Sequence, residues 1–181
     1  MTAPVLRAYR GTLPELGERV YVDPAASVIG DVVLGDDVSV WPFTVVRGDV
    51  NLIRIGARTN LQDGTVIHVS HDGPHAKLGG FATVIGADVT IGHKAIIHAC
   101  TIGDASLVGM GAIVLDGARI GEQAMVGAGS VVPPDKVVGD GELWVGNPAR
   151  FVRRLTDEQI AGLRYSAAHY VRLKDEYLAG T

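Results

Sequence analysis

The sequence predicts an all-β chain: a parallel coil of six-residue repeats, closed at its C-terminal end by one α-helix. Three observations carry that expectation. Aliphatic residues recur every sixth position at Ile85, Ile91 and Ile97, and the track extends through Ile29, Leu34, Val40, Val46, Ile55, Leu61 and Ile67 before them and Ile102, Val108, Val114, Ile120 and Val126 after them. Nine of these fifteen positions are followed directly by glycine, far more than chance placement gives. Four residues after the aliphatic position stands a small or β-branched residue, as at Thr44, Thr59, Thr65, Ala95, Ala112 and Ala124. One large and one small inward site per hexad is what a tight coil of stacked parallel strands requires.

Bulk properties agree. With 181 residues the chain fits one domain with a real core. A net charge of −4 with no basic stripe argues against nucleic acid as a partner. Twenty-four glycines and 6% aromatic residues suit many short strands joined by tight turns. Cys100 stands alone, so no disulfide forms within one chain. MTAPVLRAYRG carries charge and proline where a secretory signal needs an apolar run, and no stretch is apolar for long enough to span a membrane. A cytoplasmic protein with no membrane partner is expected.

Taken in order, residues 1–20 read as a lead-in broken by Pro4, Gly11, Pro14 and Gly17. The coil occupies 21–150, with slips at Ile29–Leu34, Leu52–Ile55 and Ile97–Ile102. Residues 71–83 interrupt the track with Pro, Gly and charge, as an excursion loop does. Pro133–Pro134 is expected to stop the ladder, and Gly146–Asn147–Pro148–Ala149 to form the exit turn. Residues 151–181 are assigned to the helix. Thr156 and Gln159 have capping-box spacing, Asp157 and Glu158 suit the positive end of the dipole, and Ile160, Leu163, Ala167, Tyr170, Lys174 and Tyr177 form one stripe.

Hexads of this kind resemble the left-handed parallel β-helix, in which three hexads close one triangular coil about 4.8 Å from the next. The handedness rests on that resemblance, since the general rule for parallel crossovers is the opposite. His68 and His98 directly follow Ile67 and Ile97, thirty residues apart. Setting aside about twelve residues for the excursion leaves about eighteen, one full coil, so the two imidazoles should stack on neighbouring rungs. His93 lies two residues past Ile91 and therefore on another face. It does not easily meet the pair within one chain but could meet it across an interface, and a threefold ring would make three such sites. Three imidazoles with one open position suit catalytic Zn²⁺, with Fe²⁺ or Co²⁺ possible.

The hexad track, His68 with His93 and His98, Arg47–Gly48–Asp49 and Asn60–Leu61–Gln62–Asp63 together resemble the γ-class carbonic anhydrases and their carbonic-anhydrase-like relatives. That resemblance implies a homotrimer with His68 and His98 from one subunit and His93 from the next, holding zinc. Arg47 and Asp49 would form an intersubunit ion pair. Gln62 would bond the zinc-bound water, Asn60 would help position it, and Tyr165 would bring a hydroxyl to the pocket. CO2 would be hydrated to bicarbonate by zinc-bound hydroxide.

The chain departs from the pattern in proton export. Val50 stands where the best-known active members of that class have a glutamate after Asp49, and the loop 71–83 has none. His71 or His75 is the substitute relay to consider. The competing functions are a hexapeptide-repeat acyltransferase using one histidine as base, and a carbonic-anhydrase-like trimer with thioester hydrolase activity or no CO2 hydration. Cys100, Trp41, Phe43 and Trp144 are expected to serve packing.

Overall fold

A computed structural model describes residues 5–74 and 78–180, with backbone only at Val5. His75 lies outside the described residues. The chain winds as a left-handed parallel β-helix of triangular section, followed by one helix, Asp157–Ala179. Its first face stacks Tyr21–Val22, Ser39–Val40, Asn60–Leu61, Thr90–Ile91, Leu107–Val108, Met125–Val126 and Glu142–Gly146. The second stacks Val5–Arg7, the start of Ser27–Leu34, the start of Val45–Ile55, Val66–His68, Ile96–His98, Ile113–Val114 and Val131–Val132. The third carries Glu15–Leu16, the ends of the two long strands, Thr83–Ile85, Thr101–Ile102, Arg119–Ile120 and Val137–Val138.

The expected interior is present. Leu34, Val40, Val46, Ile55, Leu61, Ile67, Ile85, Ile91, Ile97, Ile102, Val108, Val114, Ile120 and Val126 are all buried along the axis. Thr44, Thr59, Thr65, Ala95, Ala112 and Ala124 fill the small sites. At Ile29 the structure corrects the assignment, because Val28 is the buried residue and Ile29 pairs with Arg47 on the outside of the corner. The track Val22, Val28, Leu34, Val40, Val46 is then uninterrupted, and the slip at Ile29–Leu34 disappears. The slip at Ile97–Ile102 is real: Ile97 pairs with Val114 seventeen residues on, whereas Ile102 pairs with Ile120 eighteen on. Cys100 is buried in the resulting irregular corner, and burial pushes its thiol up to about 12.

Pro133–Pro134 does not stop the coil, which continues through Val137–Val138 and Glu142–Gly146. At this corner the N–H just past the inward residue bonds to the following coil, as Leu115 does to Val132. Val131–Val132 is the last rung on its face, so a missing proline N–H there has no partner to lose. The strand Ala149–Arg154 then turns back antiparallel on Glu142–Gly146, placing the helix start at Asp157.

The third face ends on a column of glycines: Gly17, Gly35, Gly56, Gly86, Gly103, Gly121 and Gly139. A Cβ on Gly56 would lie 2.5 Å from the Ala87 nitrogen, and one on Gly103 would lie 2.7 Å from that of Glu122. Coils touch here backbone to backbone. Two residues on, Arg19, Asp37, Arg58 and Asp88 adopt positive φ and pair as Arg19–Asp37 and Arg58–Asp88. The helix locks into this corner. Its capping box forms as expected, Leu163, Ala167 and Lys174 are buried, and Lys174 Nζ reaches Asp37 at 2.7 Å. Trp41 meets Tyr170 and Tyr177 edge-on, which fastens the helix over the first face. Among the described residues no helix is long and apolar enough to cross a membrane.

Candidate metal centre

The corner between the second and third faces differs in kind. Here the residue after the inward position is Arg7, Ile29, Arg47, His68, His98, Leu115 or Pro133, never glycine. The chain's irregularities gather beside it: the register shift near Gly30–Val32, the excursion after Ser70 and the shortened turn after His98. Relieved of close coil contact, these side chains project outward.

Val66, Ile67 and His68 pair in register with Ile96, Ile97 and His98. The stacking expected from coil arithmetic follows directly: His68 Nδ1 lies 3.2 Å from His98 Nε2, and the ring centroids are 5.2 Å apart. On their other flanks, His68 Nε2 is 3.0 Å from Asp49 Oδ1, and His98 Nδ1 is 2.6 Å from Asp116 Oδ1. Arg47 pairs with Asp49, so the ion pair that the resemblance places between subunits closes here within one chain. Burial opposes ionisation of Asp49, but the His68 hydrogen bond and Arg47 outweigh it and hold the carboxyl below its usual range. Burial, opposed by the Asp49 contact, also holds His68 below the ordinary imidazole value.

This arrangement fits a metal. A carboxylate only accepts, so it claims the N–H of the ring it touches and leaves the other nitrogen of a neutral imidazole bare. Nitrogens facing each other at 3.2 Å are bridged either by a proton, when one ring carries it there, or by a cation held between two lone pairs. Bonds of about 2.0–2.1 Å at tetrahedral angles put two ligand nitrogens roughly 3.3 Å apart, which matches.

His93 sits elsewhere, on the corner after the first face. Its Nδ1 is 2.8 Å from Asp63 Oδ2, and its backbone N–H donates to Gln62 Oε1 at 3.2 Å. Gln62 Nε2 donates to Asn60 Oδ1 at 3.1 Å, and the fully buried Asn60 is held by Thr90 Oγ1 and the Val89 carbonyl. Thus His93, Gln62 and Asn60 form one group, and His68, His98, Asp49 and Arg47 another. Within one chain the two groups do not meet, and no cluster of three or more His, Cys, Asp or Glu suited to a metal occurs among the described residues. Beside His93 and Gln62 opens a largely apolar cleft of about 390 Å³, walled by Leu107, Met110, Met125 and Ser166. Tyr165 is not among its lining residues. It is 66% exposed, with its ring stacked on His169. His71 is exposed at the start of the excursion.

Sequence reasoning missed Asp116, Asp63 as a histidine partner, and Ser166. Asp116 was within reach, since it lies on the next coil, two residues past Val114, the partner of Ile97. Ser166 depended on how the helix docks, with its hydroxyl 3.1 Å from Thr90.

Comparison with known proteins bears on the family and the fold. The family model for bacterial transferase hexapeptide repeats (six repeats) matches residues 14–48 and 99–134. The Escherichia coli protein YrdA is 56% identical over 96% of this chain and 94% of its own. A carbonic anhydrase from Geobacillus kaustophilus is 38% identical over 94% and 90%. Among solved structures, a hexapeptide transferase family protein from Anaplasma phagocytophilum superposes with a TM-score of 0.88 at 44% identity, covering 96% of this chain and 98% of that one.

Proposed function

This chain belongs to the γ-class carbonic-anhydrase-like hexapeptide-repeat family, and from that membership we propose that it is a metal-dependent enzyme hydrating CO2 to bicarbonate at sites shared within a homotrimer. The observation that carries this is the approach of His68 Nδ1 and His98 Nε2 at 3.2 Å, each backed by a carboxylate. Two imidazoles leave a tetrahedral ion short of ligands, and His93 of a neighbouring copy is the remaining imidazole beside a cleft. Zn²⁺ is the ion proposed, and Fe²⁺ or Co²⁺ would take the same donors. When bound, such an ion acts as a Lewis acid that makes hydroxide available near neutral pH, a behaviour for which carbonic anhydrase is the standard example.

The chain's own groups do the rest. Gln62, its Oε1 on the His93 N–H and one Nε2 hydrogen on Asn60, has a second amide hydrogen free to donate to a water or a substrate oxygen. Asn60 keeps that amide from rotating. Val50 takes no proton, so His71 is the proposed relay to solvent. The apolar walls of the cleft exclude competing water from a small uncharged substrate.

An outward aliphatic ladder favours the threefold assembly. Val45, Val66, Ile96, Ile113 and Val131 stack rung on rung along the second face. Val66 and Ile96 remain about two-fifths exposed there (40% and 39%). A ladder on one face and the cleft with Met110 and Met125 on another make a heterologous contact, which closes into a ring under threefold rotation.

Val50 also favours a second use of the same site, since a chain without a proton-accepting side chain there is suited to thioester hydrolysis or acyl transfer, which need no fast proton export. One experiment separates these readings: metal analysis, sedimentation and stopped-flow CO2 hydration on protein purified with zinc, or anaerobically with iron. A trimer with bound metal and fast hydration is the expected result. Metal without hydration moves the assignment to thioesters, and a metal-free protein that transfers acetyl from CoA sinks the proposal.

A further inference from the structure

Each of the three histidines touches a different carboxylate, and the coil places every one of those carboxylates one turn away. Asp63 and His93 are two residues past the paired Leu61 and Ile91, so they occupy the same place on adjacent coils. Asp49 lies on the coil before His68, and Asp116 on the coil after His98. The contacts do not fall on the same ring atom. His98 and His93 meet their carboxylates through Nδ1, whereas His68 meets Asp49 through Nε2.

From this pattern we infer that Asp116, Asp63 and Asp49 are positioning residues that select which nitrogen each ring offers. His98 and His93 then present Nε2, and His68 presents Nδ1. The physical basis is simple. A neutral imidazole has one proton to place, and a carboxylate that can only accept fixes it on the near nitrogen. The far nitrogen becomes the ligand, with its orientation set and its basicity raised by the charge behind it. In water an imidazole without such a partner exchanges tautomers freely, so half-formed donor sets would be common.

The mixed set has a geometric cause. His68 and His98 are in register, so identical ring orientations would stack the two planes and send equivalent nitrogens in parallel directions. Taking the proton partner from the preceding coil for one ring and from the following coil for the other turns the free nitrogens toward each other. The ring planes are accordingly tilted by 51°.

The inference rests on the metal reading for its purpose, but its test does not. Long-range ¹H–¹⁵N NMR of the metal-free protein reports tautomers directly. In the wild type, His98 and His93 should carry the proton on Nδ1 and His68 on Nε2. Asp116→Ala should return His98 to a mixed tautomer and weaken zinc binding by about 10–100-fold, leaving the thermal midpoint of the metal-free protein unchanged. Asp116→Asn keeps an acceptor oxygen and should recover most of both. Asp63→Ala should do the same to His93 alone. If His98 holds its Nδ1 proton in Asp116→Ala and zinc affinity stays at the wild-type value, the positioning role is wrong. A wild type with ordered tautomers that binds no divalent ion would instead overturn the metal proposal and leave the carboxylate assignment standing.

Discussion

Two corners of one prism have opposite characters. At the corner after the third face, every coil carries glycine at the same position, the next backbone is under 3 Å from where a Cβ would sit on each glycine from Gly17 to Gly121, and the turns repeat without insertion. At the corner after the second face, no glycine holds that position, and an insertion, an excursion and a shortened turn all occur there. The first sets the pitch and anchors the helix through Asp37 and Lys174. The second carries His68 and His98. A parallel coil thus keeps its regularity where backbone meets backbone, and it can place chemistry only where that contact is relaxed.

The largest effect that distinguishes the corners is functional. His98→Ala should abolish metal binding and CO2 hydration, a loss beyond the about 10–100-fold that follows removal of an outer partner, while circular dichroism of the metal-free chain stays unchanged. Removing a charge from the glycine corner should do the reverse. Asp37→Ala leaves the fully buried Lys174 with Asp175 alone, and unfolding in denaturant should show a loss of about 3–5 kcal/mol.

Smaller changes sharpen the contrast. Gly103→Ala drives a Cβ into the Glu122 backbone and should cost about 1–3 kcal/mol. Leu115→Ala, at the corresponding position of the other corner, should cost less, because no backbone has to move. Both are read from denaturation midpoints.

Acid should weaken the glycine corner in a defined direction. The Arg19 hydrogen bond, with Lys174 contributing and burial opposing, holds the Asp37 carboxyl below its ordinary value. Its stabilisation is therefore complete above the unfolded aspartate value of about 3.9 and is lost as pH falls through the lower folded value. The thermal midpoint should drop below about pH 4, and less so in Asp37→Asn. Least of all, Tyr165→Phe should shift stability by under about 0.5 kcal/mol and leave the hydration rate within about twofold, since the ring is exposed beside His169. A larger fall in rate would give the Tyr165 hydroxyl a place in the site.

Much of this was legible before any coordinates. Ile85, Ile91 and Ile97 announce a six-residue period, and a period sets which side chains point inward whatever lies around them. The capping box at Thr156–Gln159 is similarly local. Counting thirty residues from His68 to His98, less the excursion, was enough to put both on one corner. At Ile29 the sequence is ambiguous because two adjacent aliphatics fit the period nearly equally, and only pairing with Arg47 shows which one faces out. Pro133–Pro134 is a weaker stop signal than its type suggests, because a proline breaks a ladder only where a further rung awaits its N–H.

The sequence by itself thus determined the coil, its core and the shared corner of His68 and His98, since all three follow from a repeat length applied along one chain. Tertiary structure alone decided that glycine is required at one corner and dispensable at another, because that depends on how closely successive coils approach. It also decided which carboxylate stands behind which imidazole, and so which nitrogens face each other. Ring orientation is set by contacts from the coils on either side, and no spacing along the chain encodes it.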